Sequence, residues 1–481
     1  MKNSKHVHLI GICGTAMASL AGLLQLSGWR VTGSDAAVYP PMSDLLASLK
    51  ITVLQPFSES NLQPRPDCII VGNAISRGNA ELEFALDEKI PIYSMAQTLH
   101  EYFLRGRESL VVAGTHGKTT TTSMLAWIYE VAAQSNPEFS PSFLVGGVAE
   151  NFGGSFALRP TKPFILEGDE YDTAFFDKGP KFLHYFPDAL ILTHVEFDHA
   201  DIYADLDAVR TAFQRLVNLV PRRGRIVAFD GSEDVSRCIA RAFCAVERYG
   251  FAADSHWRIS NFVTQEDHSL WRVDRQGTHW SDFSMPVVGE HNVLNATAAA
   301  ALAAGQGVPL DAIRTALASF QSVKRRLEVF AEVAGVTLID DFAHHPTAIR
   351  ETLRALHARY PGRRLWAVLE PRSNTLRRNV FERELVESLA LADRVVLAAV
   401  YQPERIPADQ RLHAERVVAQ LEARAIPAVL LPDADTIVAH LAGQVRAGDV
   451  VAILSNGGFG DIYHKLPQRL GLQAGLPGHK G

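Results

Sequence analysis

Residues 110–113, LVVA, run directly into GTHGKTTTT and then into the apolar-periodic segment SMLAWIYEVA. Such a sequence fits a buried strand, a glycine loop and a helix whose free N–H groups and dipole face an anion. In that arrangement Gly114, Thr115, His116, Gly117, Lys118, Thr119 and Thr120 cradle nucleotide phosphates, with Lys118 on the terminal phosphates and Thr119 on a magnesium ion. The usual pattern has its first glycine five residues before the second. Here that position is Val112, and Gly114 stands only three before Gly117. The loop is a variant of the common one.

Around this unit, short apolar runs alternate with amphipathic stretches, the pattern of parallel α/β domains. Strands are expected at 7–12, 30–34, 68–72, 110–113, 164–167, 189–193, 225–229, 336–340, 365–369, 394–399, 428–431 and 450–454. Between 246 and 286 the helical periodicity fades, which predicts a small antiparallel insert, and a tightly packed small-residue helix follows at 295–304. A length of 481 residues allows about three domains. Polar stretches at 105–108 and 322–326 divide the chain into 1–107, 108–322 and 323–481. The expected fold is α/β in three consecutive domains: Rossmann-like, then ATPase-like around the phosphate loop with a mainly parallel sheet, then Rossmann-like again.

Lys and Arg total 47 against 53 Asp and Glu, a formal charge of −6. This argues against general affinity for nucleic acid or anionic membrane, so anionic substrates need local positive clusters. The four cysteines have no disulfide or zinc spacing. No run approaches the ~18 apolar residues of a membrane helix, and the N-terminus lacks the apolar core of a secretory leader. A cytoplasmic protein is expected.

Further motifs follow predicted strands, where open α/β sheets hold their ligands. Gly11-Ile-Cys-Gly14 opens a helix at Thr15, and Asp35 ends the next strand, an arrangement suited to a nucleotide group. EGDEYD (from Glu167) and EFDH (ending at His199) offer hard oxygen ligands and one imidazole near the phosphate loop. Asn292 and Asn295 lie one helical turn apart and suit a base edge. Arg326 and Asp341 suit a phosphate and a ribose at the second boundary. Arg372, Asn374, Arg377 and Arg378 form a fork for carboxylates, and His345 lies in the DDFAHHPT turn. Each set also has a structural explanation: Asp198 and Asp205 suit helix caps, and the arginine run suits a solvated helix start.

Taken in order, GTHGKTTT, EGDEYD, EFDH, GEHNVLN, KRRLE and DDFAHHPT resemble the Mur ligase family over essentially the whole chain. The resemblance implies a cytoplasmic, ATP-dependent ligase that forms an amide bond in peptidoglycan metabolism, with Mg²⁺ as cofactor and ATP as co-substrate. Carried over by position, Lys118, His116, His199 and Glu167 are catalytic, and Thr119, Glu167 and His199 hold the metal. ATP is met by residues 114–120, Asn292, Asn295, Arg326 and Asp341, and the UDP-sugar by Gly14, Thr15 and Asp35. The peptide is met by Arg372, Asn374, Arg377, Arg378 and His345.

The stretches GSDAAVYPPMSDLL, EYDTAFFDKGPKFLHY, EFDHADIYADL and EPRSNTLRRNVF resemble one branch in particular. That branch joins UDP-N-acetylmuramate to the murein tripeptide L-alanyl-γ-D-glutamyl-meso-diaminopimelate in recycling. The L-alanine-adding branch has ESDASF where this chain has EYDTAF. Gln214 stands where other branches carry a carbamoylated lysine. No oligomeric state follows. From the residues, three alternatives stay open: the L-alanine-adding ligase, a nucleotide-dependent oxidoreductase built on the N-terminal loop, and a phosphate-loop switch ATPase.

Overall fold

The computed structural model describes residues 5–38, 42–265 and 267–473. Residues 1–4, read above for a leader, 39–41, inside GSDAAVYPPMSDLL, and the last eight residues lie outside these ranges.

Three sheets follow one another along the chain. The first is all parallel, in the order Val53–Leu54, Arg30–Ser34, His6–Ile10, Cys68–Val71, Ile92–Ser94. This is a Rossmann half, and the Gly11–Gly14 loop leaves its central strand where the strand order reverses. Helix Thr15–Leu26 starts there with Gly14 as its N-cap. Its middle packs on the second domain: Ser19 Oγ lies 2.7 Å from Ser155 Oγ, and Gly22 leaves room for the Phe156 ring.

The second sheet has ten strands. Its parallel core runs Ala245–Gly250, Arg225–Phe229, Ala189–Leu192, Glu108–Ala113, Pro163–Gly168, Ser142–Ala149. Val112, Ile165 and Ile191 are fully buried, which is why these strands read as unbroken apolar runs. Strands Trp257–Gln265, His268–Arg275 and Thr278–Met285 form an antiparallel extension. The expected insert therefore begins later than 246, because Ala245–Gly250 still pairs in parallel with its neighbour. Helix Lys118–Ala133 packs against helix Glu290–Gly305, whose run of alanines permits the close approach. Met124, Leu125 and Ile128 are fully buried there, each contributing roughly 1.5–3 kcal/mol.

The third sheet runs Glu328–Val333, Val336–Asp341, Val450–Leu454, Leu365–Leu369, Arg394–Ala398, Ala428–Leu431, parallel except for its first strand. Just before it, Val323 forms an antiparallel bridge to Ala149, so residues 322–324 still line the edge of the central sheet.

Candidate active site

Glu108–Ala113 lies between Ala189–Leu192 on one side and Pro163–Gly168 on the other. That placement sends both acidic motifs to the phosphate loop, since Val112 is in register with Glu167 and Ala113 with Leu192. The loop itself is held by two glycines with positive φ, Gly114 at 137° and Gly117 at 78°. Thr115 N donates to His194 O (2.8 Å), and Thr193 Oγ1 donates to His116 O (2.6 Å).

The Lys118 ammonium is folded over its own loop. It donates to Gly114 O (2.8 Å) and to both carboxylate oxygens of Glu170 (2.9 and 3.1 Å). Glu170 also accepts from His199 Nε2 (3.3 Å), and Asp169, Glu170 and His199 place one ligand atom each within 4.8 Å of one another. Glu167 faces a different pair: it accepts from Thr119 Oγ1 (3.1 Å) and Gly146 N (3.0 Å). The expected trio Thr119, Glu167, His199 thus divides between two flanks of Lys118, and Glu170 joins His199 instead of Glu167. Burial pushes the Glu167 carboxyl up. Burial would also raise Glu170, but the Lys118 charge and the His199 hydrogen bond hold it below the usual carboxylate range. Residues 169 and 170 lie past the strand end, where the chain turns toward the crevice. That position was the available sequence signal for them.

EFDH binds the central domain to the third one. Asp205 caps helix Leu206–Leu219 as expected. Asp198 instead accepts from His199 N (2.7 Å) and from Thr375 Oγ1 (2.6 Å) across the domain boundary. Burial would raise its carboxyl, but His199, His344 and His345 hold it low. Glu196 accepts from Thr347 Oγ1 (2.7 Å) and lies 3.2 Å from His116 Nε2. Arg326 lies over the Phe342 ring and lines a cleft of about 360 Å³ with Val288 and Lys324. Asn295 sits against Gly117, while Asn292 spends its amide donor on Val288 O (2.8 Å). Asp341 is 4% exposed and accepts from Leu327 N, Ala343 N and Thr352 Oγ1. These bonds give Asp341 an anchoring role within its own domain.

A cleft of about 450 Å³ collects residues of all three domains: Asn73 from the first, Asp169, Lys181 and His199 from the second, and Arg372, Asn374 and Arg377 from the third. Arg372 stacks on the Tyr401 ring (3.9 Å), and Arg377 donates to Asn374 Oδ1 (2.6 Å) and Tyr401 O (3.2 Å). Its buried Nε has no partner. Two expected members are not among the residues that line this cleft. Arg378 turns away to Gln410, and His345 turns to Phe197 O (3.2 Å). The adjacent His344 lines the cleft instead, because neighbouring side chains on a turn point apart. At the first domain, Asp35 accepts from Cys13 N (2.8 Å) and Ala37 N (3.2 Å), tying strand Arg30–Ser34 to the glycine loop.

Three imidazoles lie around this part of the site, His345 buried and His194 and His291 partly so. Burial pushes His194 and His291 down to about 4 and His345 to about 3, helped by His116 beside His194 and His345 and by Arg326 beside His291. They stay neutral in the folded chain while the unfolded chain takes up protons from about pH 6.5. Below that pH the unfolded state binds more protons, so stability falls as pH falls toward 4. Each imidazole contributes a slope of up to about 1.4 kcal/mol per pH unit. Thermal melts should show Tm dropping steadily from pH 7 to pH 5; a flat Tm over that range would contradict this account.

The profile of the Mur ligase family catalytic domain matches residues 6–107, that of the Mur ligase middle domain 112–303, and that of the Mur ligase glutamate ligase domain 325–457. The UDP-N-acetylmuramate–L-alanyl-γ-D-glutamyl-meso-2,6-diaminoheptandioate ligase of Escherichia coli is 44% identical, over 97% of this chain and 99% of its own. The UDP-N-acetylmuramate–L-alanine ligase of Desulfitobacterium hafniense is 32% identical, over 95% and 98%. Among solved structures, the murein peptide ligase of Psychrobacter arcticus superposes with a TM-score of 0.72 at 35% identity, covering 97% of this chain and 99% of that one. The UDP-N-acetylmuramate–alanine ligase of Thermotoga maritima shares the fold, with a TM-score of 0.80 at 23% identity over 98% and 99%. With profiles matched across all three domains and near-complete relatives above 30% identity, the chain belongs to the Mur ligase family.

Proposed function

We propose that this chain is an ATP-dependent amide ligase that joins UDP-N-acetylmuramate to L-alanyl-γ-D-glutamyl-meso-diaminopimelate. The observation that carries the reading is the position of Lys118, paired with Glu170 next to Asp169 and His199, which line a cleft to which all three domains contribute. Two curated relatives bearing that activity in their names, at 44% and 40% identity, favour this acceptor over free alanine. In the division of labour proposed, 1–107 grips the UDP-sugar through Gly14, Thr15 and Asp35, 108–322 binds ATP, and 323–481 presents the peptide.

A carboxylate is a poor acyl donor because its leaving group would be oxide. Phosphoryl transfer from ATP to the lactyl carboxylate makes an acyl phosphate and ADP; the alanyl amine of the peptide then attacks the acyl carbon, forming the amide and expelling phosphate. No protein nucleophile is required. Lys118 and His116 stabilise charge on the phosphoryl group by position and electrostatics. Glu167, Glu170, Asp169 and the Thr119 hydroxyl supply hard oxygen donors around Lys118, with a single imidazole from His199, a set that fits magnesium, which would neutralise phosphate charge there. Arg372 and Arg377 present guanidinium groups to the peptide carboxylates from their side of the cleft.

ADP release in the presence of UDP-N-acetylmuramate tests the reading, with the tripeptide and free L-alanine compared as acceptors. Turnover should require the UDP-sugar and favour the tripeptide. Preference for alanine, or ATP hydrolysis without the sugar, would sink it. Arg377→Ala should raise the tripeptide KM about tenfold or more, the loss of a charge-assisted bond, and leave the ATP KM unchanged. An unchanged tripeptide KM would remove Arg377 from the acceptor site.

A further inference from the structure

A second constellation lies at the seam between the phosphate loop and the C-terminal domain. His116 Nε2 is 3.2 Å and His345 Nδ1 3.6 Å from the same oxygen of Glu196, and the three ligand atoms lie within 4.8 Å of one another. We propose that His116, Glu196 and His345 form a binding site for a transition-metal ion of the Zn²⁺ class, tying the C-terminal domain to the phosphate loop.

The spacing fits the ion. Metal–ligand bonds of about 2.0–2.1 Å in tetrahedral geometry give ligand–ligand edges of about 3.3 Å, and the two measured edges, 3.2 and 3.6 Å, bracket that value. The tautomer fits as well. His345 Nε2 faces the carbonyl of Phe197 at 3.2 Å, which can only accept, so the proton sits on Nε2. Nδ1 carries the lone pair, which accepts from Thr347 N (3.3 Å) and would exchange that helix-capping bond for the ion. The Nε2 bond to the carbonyl is the support a metal-bound imidazole ordinarily has, and the Thr347 hydroxyl, 2.7 Å from the Glu196 oxygen, plays the same part for the carboxylate. Two imidazoles and one carboxylate favour zinc, cobalt or nickel over magnesium, which prefers oxygen ligands and near-octahedral geometry. Three protein ligands leave one position open. Occupation removes the Glu196 hydrogen bond from His116 and fixes the seam, so the ion acts on the loop without taking part in magnesium binding at Glu170 and His199.

The test uses the purified full chain in excess Mg²⁺. X-ray absorption of the Zn²⁺-loaded protein should count two imidazoles, because the neighbouring Asp169, Glu170, His199 cluster offers only one. Titration with Co²⁺ should give intense four-coordinate visible bands at one equivalent. Glu196→Gln and His345→Gln should weaken Co²⁺ binding about tenfold or more, and His199→Gln should leave it intact. One imidazole or none, bands lost with His199→Gln, bands retained with Glu196→Gln, or no metal retained against Mg²⁺ would each overturn the site. The absorption count needs no variant, so the proposal stays testable if a substitution unfolds the chain.

Discussion

Lys118→Met is expected to lower kcat for ADP release about 10³-fold, the scale on which a cation facing a transferring phosphoryl group acts. The same substitution should destabilise the protein. The Lys118 side chain is 12% exposed and that of Glu170 only 2%, so removing the ammonium leaves a buried carboxylate with only His199 to offset its charge. Breaking a buried pair from one side costs about 3–5 kcal/mol. The two effects separate in the double variant. With Glu170→Gln added, the orphaned charge is gone, and Tm should recover toward that of the parent chain while activity stays lost. A single variant that kept activity within tenfold would remove Lys118 from the chemistry. A double variant no more stable than the single one would show that the buried pair is not what the lysine stabilises.

That Lys118 could be singled out before its surroundings were known reflects what each kind of signal encodes. Leu365–Leu369 and Val450–Leu454, buried at every residue, read as apolar runs and match their expected bounds; Arg30–Ser34, Arg225–Phe229 and Ala428–Leu431, only partly buried, match theirs too. The strand Ser142–Ala149 escaped because Gly146 and Gly147 interrupt it. Its glycine has a reason visible only in three dimensions: a Cβ on Gly146 would lie 2.6 Å from Glu167 Oε2, in the space the carboxylate needs to accept from Gly146 N. Ile92–Ser94, at the sheet edge, is too short to carry a pattern.

For the site, spacing identified the loops but not the side chain within each. Glu167 and Glu170 have equal chemistry and lie three residues apart. Which one meets Lys118 depends on where strand Pro163–Gly168 ends and the chain turns. His344 and His345 are likewise indistinguishable until the turn before helix Pro346–Arg359 sends one into the cleft and the other to Phe197. Asp341 has a local role that its motif does not show: it accepts three hydrogen bonds from the chain and holds the Arg326 loop in place through Leu327, while Oδ2 accepts only one of them.

The loop geometry that no other residue can adopt yields the second large effect. Gly114→Ala is expected to destabilise the central domain by about 3–4 kcal/mol and to abolish ATP turnover. Gly114 has φ of 137°, a conformation that costs a residue with a side chain about 1–3 kcal/mol. The added Cβ would overlap Thr193 Oγ1 and come within 2.8 Å of His194 N and 2.9 Å of His194 O. Neither neighbour can yield cheaply. The Thr193 hydroxyl holds His116 O, and His194 O holds Thr115 N, so relief of the overlap pulls the loop apart at the residues that face the phosphates. Gly106→Ala separates backbone strain from crowding: it too has a positive φ, 74°, but nothing lies within 4 Å of its added Cβ. That variant should lose only about 1 kcal/mol and keep its activity. Thermal melts and ADP release on the two variants decide the matter, and a Gly114→Ala protein no less stable than Gly106→Ala would show that the loop tolerates a side chain where the structure leaves no room for one.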